Sequence, residues 1–193
     1  MIIGILAESD NDSEPIKEIV NTILKPHIST IRFITYESGT GIFNDMLKAS
    51  KLFFNAEPSC DIALYLNDLD NQPERCRKIR KWATTYCSKN PSKIIIVGCP
   101  DPTFEQWFIN EENSIKKVLN LNSSNPLPYT GLHPKSRLEN MIYKNTDITI
   151  SKKNAYIDIA KNLNMSLLIK KDKSFKRFYD DLMKGFDSFK RSN

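Results

Sequence analysis

The stretch DIALYLNDLD, residues 61–70, joins an apolar run directly to two acidic residues. We interpret residues 61–67 as a strand, because a short continuous apolar run is typical of a strand that is covered on both faces. Asp68 and Asp70 then stand where this strand ends. Because chemistry in open parallel sheets lies beyond the carboxyl ends of the strands, the stretch indicates both a fold element and a candidate site.

Strand and helix patterns alternate on both sides of this stretch. Strands are predicted at 2–7, 31–36, 61–67 and 93–98, with amphipathic helices between them at 13–24, 42–55 and 73–88. Ser13, followed by an acidic residue and a proline, is the predicted N-cap of the first helix. This order predicts an α/β fold with a four-stranded, mainly parallel sheet flanked by helices.

The second part of the chain differs from the first in pattern and in charge. Residues 111–193 have helical spacing and are predicted to form a basic helical extension packed on a domain of residues 1–110. The first range carries 12 basic and 14 acidic side chains, net −2, and the second carries 16 basic and 9 acidic, net +7. This separation favours a cation site in the first range and a polyanion contact in the second, although lysine-rich helices are also often simply solvated.

Composition excludes several classes of protein. With 193 residues, 40% hydrophobic and 26% charged, the chain is typical of a globular domain and not of a fibrous or disordered one. No apolar run approaches the ~20 residues of a membrane-spanning helix, and the N-terminal run meets Glu8 without a preceding basic region. The four cysteines form no CxxC pair, so we expect reduced thiols and a cytoplasmic location.

Acidic residues follow the predicted strands. Glu8 follows the first strand, Asp68 and Asp70 follow the third, Glu105 follows the fourth, and Asp12 lies a few residues after Glu8. Converging carboxylates repel one another, and their oxygens are the ligands that a hard cation such as Mg²⁺ or Mn²⁺ prefers. Two such ions can activate a water and stabilise the leaving oxygen of a phosphodiester. The sequence therefore predicts a divalent-metal site at this edge of the sheet.

A structural interpretation of the same residues stays open. An aspartate just after a strand, such as Asp68, often only caps the next helix, which here would start at Pro73. Glu105 could be an exposed residue between Phe104, Trp107 and Phe108, which have the spacing of a buried helical face.

Two short acidic segments, AES at 7–9 and NDLD at 67–70, resemble the motifs of the Toprim fold, which topoisomerases, bacterial primases and nucleases of the overcoming-lysogenization-defect type share. More specifically, the chain resembles small, uncharacterised Toprim-like proteins of bacteria that are often encoded near ATPases. The further segments that carry this resemblance, in the same order along the chain, are DPTFEQWF at 101–108, PKSRL at 134–138 and KSFKRF at 173–178.

The resemblance implies a metal-dependent nuclease that cleaves phosphodiester bonds of DNA or RNA. It implies that Glu8 is a metal ligand or general base and that Asp68 and Asp70 are metal ligands. Asp12 and Glu105 would support a second ion. The expected cofactor is Mg²⁺ or Mn²⁺, and the expected context is an antiphage defence system with an ATPase partner.

The sequence also departs from the family pattern. Ser9 stands where the family usually has glycine, and the first loop is about one residue longer than usual. Either Asp12 or Glu14 could therefore fill the second acidic position. The departure at Ser9 favours an alternative function, in which the fold is kept as a non-catalytic binding subunit of an ATPase complex.

Three basic residues are candidates for nucleic-acid contact. Lys135 and Arg137 follow a proline-rich loop, and Arg177 lies in the C-terminal motif. Such side chains can bind phosphates or stabilise charge in a transition state. A solvated surface position is equally open for each of them.

Overall fold

The computed structural model describes residues 1–7, 9–28, 30–37, 42–70, 72–145 and 149–192. The predicted site residue Glu8 therefore lies outside the described residues. The elements, in chain order, are β1 (Ile2–Ala7), α1 (Asp10–Leu24), β2 (Arg32–Glu37), α2 (Ile42–Asn55), β3 (Ile62–Leu66), α3 (Pro73–Lys89), β4 (Ile94–Gly98), α4 (Glu105–Asn110), α5 (Glu112–Val118), α6 (Pro134–Tyr143), α7 (Lys152–Asn162), α8 (Met165–Lys171) and α9 (Lys173–Ser192).

The four strands form one parallel sheet in the order β2-β1-β3-β4. Ile5 of β1 pairs with Leu64 of β3, which pairs with Ile96 of β4. A helix follows each of the first three strands and returns the chain to the start of the next strand, as parallel pairing requires. The predicted α/β class and four-stranded sheet are confirmed, and the sheet is parallel throughout.

Both faces of the sheet are covered, which explains the continuous apolar runs in the sequence. Alternate residues of a strand point to opposite faces. Ile5 and Leu64 belong to a core shared with α1 and the C-terminal helices, whereas Leu6 and Tyr65 belong to a second core with α2 and α3. Candidate groups at the ends of these strands are therefore held on a rigid base.

The first helix begins a turn earlier than its sequence predicts. The main-chain oxygen of Ser9 accepts hydrogen bonds from the N–H groups of Asp12 and Ser13, at 3.1 and 3.0 Å, so α1 starts at Asp10. Ser13 is fully buried inside the helix, and its prediction as N-cap is wrong. As a result, Asp12 lies in the first turn of α1 and not in a free loop.

An aromatic cluster joins the C-terminal helices to the sheet domain. Trp107 of α4 is fully buried, with its ring centroid 5.3 Å from that of Phe178 and 5.0 Å from that of Phe175, both in α9. Its Nε1 donates a hydrogen bond to the hydroxyl of Ser174 at 2.8 Å. Residues 111–193 thus share one continuous core with the sheet. None of the described helices has the combined length and apolarity that crossing a membrane requires.

A disulfide corrects the expectation that all cysteines are reduced. Cys76 near the start of α3 is bonded to Cys99 just after β4, with their Cα atoms 6.2 Å apart. The prediction failed because the strand–helix crossover brings together two cysteines that are 23 positions apart in sequence. Cys60 and Cys87 are free thiols, as expected.

Candidate functional site

The loops that follow β3 and β4 are bonded to each other at the carboxyl edge of the sheet. The main-chain N–H of Leu69 donates to the oxygen of Pro100 at 3.0 Å, and that of Asp70 donates to the oxygen of Pro102 at 2.8 Å. These bonds extend the pairing of the two strands beyond their ends. The loops therefore hold their side chains in a defined arrangement.

Asp68 connects the two loops through its side chain. Its Oδ1 accepts a hydrogen bond from the main-chain N–H of Phe104 at 2.9 Å, directly before α4 begins at Glu105. Asp68 thus satisfies a main-chain donor at the start of α4 and is half-buried. Such a cap was the structural alternative for Asp68, although the helix is α4 and not the adjacent α3.

Asp70 has a different environment from Asp68. It has a φ of 45°, in the left-handed region that aspartate tolerates better than most residues, and it is exposed. The turn that contains it is closed by a hydrogen bond from the N–H of Gln72 to the oxygen of Leu69 at 2.6 Å. The two acids of the Asp-x-Asp motif thus differ in burial, and the metal role of Asp70 stays a prediction.

Glu105 is buried, with 2% of its surface exposed, so the interpretation of an exposed Glu105 is wrong. The hydroxyl of Tyr156, on α7, donates a hydrogen bond to its Oε1 at 2.9 Å. Burial, together with the negative charge of Glu105, raises the pKa of Tyr156 far above its usual value. Tyr156 therefore remains a neutral donor to Glu105 across the physiological pH range.

Asp12 is the third carboxylate of this region. The Ser9 hydroxyl donates a hydrogen bond to its Oδ2 at 2.8 Å. Burial raises the pKa of Asp12, the bond from Ser9 opposes the shift, and the charge of Glu105 adds to it. Glu14, the other candidate for the second acidic position, forms an ion pair with Lys17 at 2.6 Å. The contacts therefore favour Asp12 over Glu14.

Lys135, on α6, supplies positive charge to these acids. Partial burial lowers its pKa, but the charges of Glu105, Asp12, Glu139 and Asp68 together outweigh this effect, and the pKa is raised. Lys135 thus interacts electrostatically with all three carboxylates. We call Asp12, Asp68, Glu105 and Lys135 the carboxylate–lysine cluster.

Two residues that the sequence did not single out support this cluster. Lys152 forms an ion pair with Glu139, and its ammonium group lies 5.3 Å from the centre of the Tyr156 ring. Lys152 and Tyr156 are one turn apart on α7. The i, i+4 spacing of Lys152 and Tyr156 is the one sequence signal that could have linked them. This spacing is too common on helices to indicate a site.

The other predicted basic residues have different surroundings. The Nε and terminal nitrogen of Arg137 donate to the main-chain oxygens of Pro128 and Leu127, at 2.9 and 2.8 Å, which holds the proline-rich loop against α6. Arg177 lies on α9 beside Arg80, in a groove between α9 and α3. The nucleic-acid role predicted for each stays a prediction.

The cluster fits a hard cation in the type and charge of its donors. Its acidic members offer only oxygen atoms, and burial and Glu105 both disfavour the charged form of Asp12, which a bound cation would relieve. Within the described part of the chain, however, no three His, Cys, Asp or Glu side chains lie close enough together to hold a metal ion. A complete ligand set therefore requires a further group, for which the sequence offers Glu8.

Comparison of the chain with models of protein families, with curated proteins and with solved structures gives no significant match.

Proposed function

We propose that this protein is a divalent-metal-dependent nuclease that cleaves phosphodiester bonds of DNA or RNA. The observation that carries this function is that Asp12 of α1, Asp68 of the loop after β3 and Glu105 of α4 all act electrostatically on Lys135 beyond the carboxyl ends of a parallel sheet. Open α/β sheets bind their ligands at this edge. A carboxylate whose pKa is raised by burial, such as that of Asp12, is typical of functional sites.

The ion, Mg²⁺ or Mn²⁺, would be held by Glu8, Asp12, Asp68 and Glu105. Asp70 lies at the exposed end of the loop that carries Asp68. Such an ion, when bound, lowers the pKa of a coordinated water and neutralises charge on a phosphate oxygen. The residues of the chain position this chemistry. Phe104 orients Asp68 through its N–H, and Tyr156 orients Glu105.

Lys135 has a separate role in this function. Lys135 is an exposed residue, so it can contact a phosphate while it balances the carboxylates. An ammonium group binds a phosphate as a compact point charge with three donors. Lys135 would therefore hold the scissile region of the nucleic acid beside the acids.

A nicking assay tests this function. Purified protein is incubated with supercoiled plasmid DNA, and separately with RNA, in Mg²⁺, in Mn²⁺ and in EDTA. We expect cleavage in Mg²⁺ or Mn²⁺ and not in EDTA. Asp68→Asn should reduce the cleavage rate at least about a hundredfold. Asparagine keeps an acceptor oxygen for the Phe104 N–H, so this variant removes the charge and preserves the cap.

The matched control for this assay is Asp158→Asn, which makes the same chemical change on the outer surface of α7. It should cleave like the wild type. Full activity in Asp68→Asn, or no cleavage of either substrate by the wild type, would contradict the proposed nuclease function.

A second candidate function is a non-catalytic binding subunit. The observation that favours it is that Asp68 and Glu105 already have protein partners, a main-chain N–H and a tyrosine hydroxyl. Both groups would then be structural polar contacts at a docking edge. This second function predicts that the folded protein cleaves neither DNA nor RNA in the nicking assay, whichever metal is added.

The context implied by the Toprim resemblance belongs to the same proposal. It comprises an ATPase partner and a role in antiphage defence. Co-purification of the protein with an ATPase encoded beside it, lost on removal of that ATPase gene, would support this context.

A further inference from the structure

The strand β4 forms one edge of the sheet, and its outer side borders a groove of about 500 Å³. Helix α3 covers one face of this strand and helix α9 the other. Gly185 lets α9 lie against the strand, because a Cβ there would come within 3.0 Å of Ile96 and 3.1 Å of Ile94. The groove therefore runs along a sheet edge with a helix on each side.

The main chain of β4 faces this groove at alternate residues. The N–H of Asn67 bonds to the oxygen of Gly98, so Gly98 faces β3, and the residue before it faces outward. Arg80 confirms this direction, since its guanidinium donates to the Val97 oxygen at 2.7 Å. Ile95, two residues before Val97, faces the same way. The Ile95 oxygen and the Val97 N–H point to the same edge.

The side chains around the groove carry an excess of positive charge. Arg80, Lys93, Arg177 and Lys184 line it, together with one acid, Asp181, which is paired with Arg80 at 2.6 Å. The apolar floor of the groove comes from β4, in which Ile94 and Ile95 are half-buried and Ile96 and Val97 are buried. An occupant that matches this surface is extended, has main-chain hydrogen-bonding groups, and carries negative charge with small apolar side chains between the charges.

We propose that this groove binds an acidic, extended segment of a protein partner, which adds to β4 as a fifth strand. Addition of a strand to an open sheet edge is a common mode of peptide recognition, in which main-chain bonds supply affinity and flanking side chains supply specificity. Ile95 and Val97 are the residues of β4 that present main-chain groups to such a segment, and Arg80 already donates to one of these groups, the Val97 oxygen. The basic residues on α3 and α9 would bind its acidic side chains on both faces.

A fluorescence anisotropy titration tests the proposal. The probe is a fluorescein-labelled peptide of alternating glutamate and valine, about seven residues long. We expect saturable binding below about 1 mM. The double variant Arg177→Glu/Lys184→Glu should weaken it about tenfold or more, because both side chains are exposed and line the groove. The double variant Lys170→Glu/Lys171→Glu, on the exposed surface of α8, makes the same charge change elsewhere and should bind like the wild type.

A second probe separates strand addition from simple attraction of charge. The same peptide with alternate main-chain nitrogens methylated keeps its charge and loses donors to the sheet edge, so its affinity should fall about tenfold. Equal binding of the methylated peptide, no binding of either peptide, or an equal loss in the α8 variant would overturn the proposal. Tighter binding of a thymidine oligonucleotide, lost in the groove variant, would also overturn it, because the groove would then bind nucleic acid. The titration is done in EDTA without substrate, so its outcome is independent of nuclease activity.

Discussion

Asp12 is an acid of the candidate site whose pKa is raised. Burial raises the pKa of Asp12, Ser9 opposes this shift, and Glu105 adds to it. A carboxylate with a raised pKa resists ionisation in the folded protein and accepts a cation readily. Stability and metal binding are therefore coupled at this residue.

We expect Asp12→Asn to be more stable than the wild type near pH 7. The folded state binds the Asp12 proton more tightly than the unfolded chain does. Protonated Asp12 therefore contributes its full stability below the ordinary pKa of 3.8, and this contribution is lost as pH rises through the raised pKa. The difference between variant and wild type should shrink toward about pH 4. Urea denaturation across this range measures it, with Asp158→Asn as control. A variant less stable than the wild type near pH 7 would contradict the burial of this charge.

Tyr156→Phe should lower the free energy of unfolding by about 1–3 kcal/mol, because buried Glu105 loses its hydroxyl donor. Tyr143→Phe is the matched control, since Tyr143 is 68% exposed. Denaturant titration measures both. Equal stability of Tyr156→Phe and wild type would show that the bond to Glu105 contributes nothing.

At this scale the sequence predicted some residues and missed others for a physical reason. Asp68 and Glu105 were predicted because they follow strands, and strand ends converge in any parallel sheet. Tyr156 and Lys152 come from α7, whose docking depends on the packing of nonlocal aromatic residues such as Phe108. No local pattern encodes that docking, so a tyrosine in the site could not be inferred.

At the scale of elements, the alternation of strands and helices was sufficient to predict the sheet and its parallel direction. Boundaries were less predictable, because α1 starts where the Ser9 oxygen receives its bonds and not at the more typical cap, Ser13. The short helix α8 was missed, since its seven residues contain too few turns for an apolar period to stand out.

The disulfide between α3 and the end of β4 gives an element-scale prediction. Reduction, or the double variant Cys76→Ser/Cys99→Ser, should lower the free energy of unfolding by about 3 kcal/mol, because the unfolded chain loses a cross-link across 23 residues. Denaturation with and without dithiothreitol measures it, and the double variant should not respond to the reductant. Alkylation of Cys76 and Cys99 in protein that has not been reduced would contradict the presence of the disulfide.

At the scale of the whole molecule, the uneven charge of the sequence is distributed over separate places. Lys135 interacts with the acids of the carboxylate–lysine cluster, Arg137 holds the proline-rich loop, and Arg177 lines the β4 groove. A single basic surface does not follow from the net charge of +7 in residues 111–193. Each basic residue therefore has its own expected phenotype.

Lys135→Ala and Arg137→Ala should separate nucleic-acid contact from structural support. We expect Lys135→Ala to weaken binding of DNA or RNA and to reduce the slope of log affinity against log salt by about one. Arg137→Ala should lower stability by about 1–3 kcal/mol, because two loop oxygens lose their donor, and leave the slope unchanged. Salt-dependent binding titrations and denaturation measure the two effects. A changed salt slope in Arg137→Ala together with an unchanged slope in Lys135→Ala would contradict the role proposed for Lys135.

The most direct test of the central claim, that the carboxylate edge is a metal centre, is anomalous X-ray scattering from a crystal soaked in Mn²⁺. The proposed function predicts an anomalous peak in contact with Asp68 and with Asp12 or Glu105, which disappears in crystals of Asp68→Asn. Saturating Mn²⁺ with no peak at this edge, or an equal peak in the Asp68→Asn crystal, would contradict the claim.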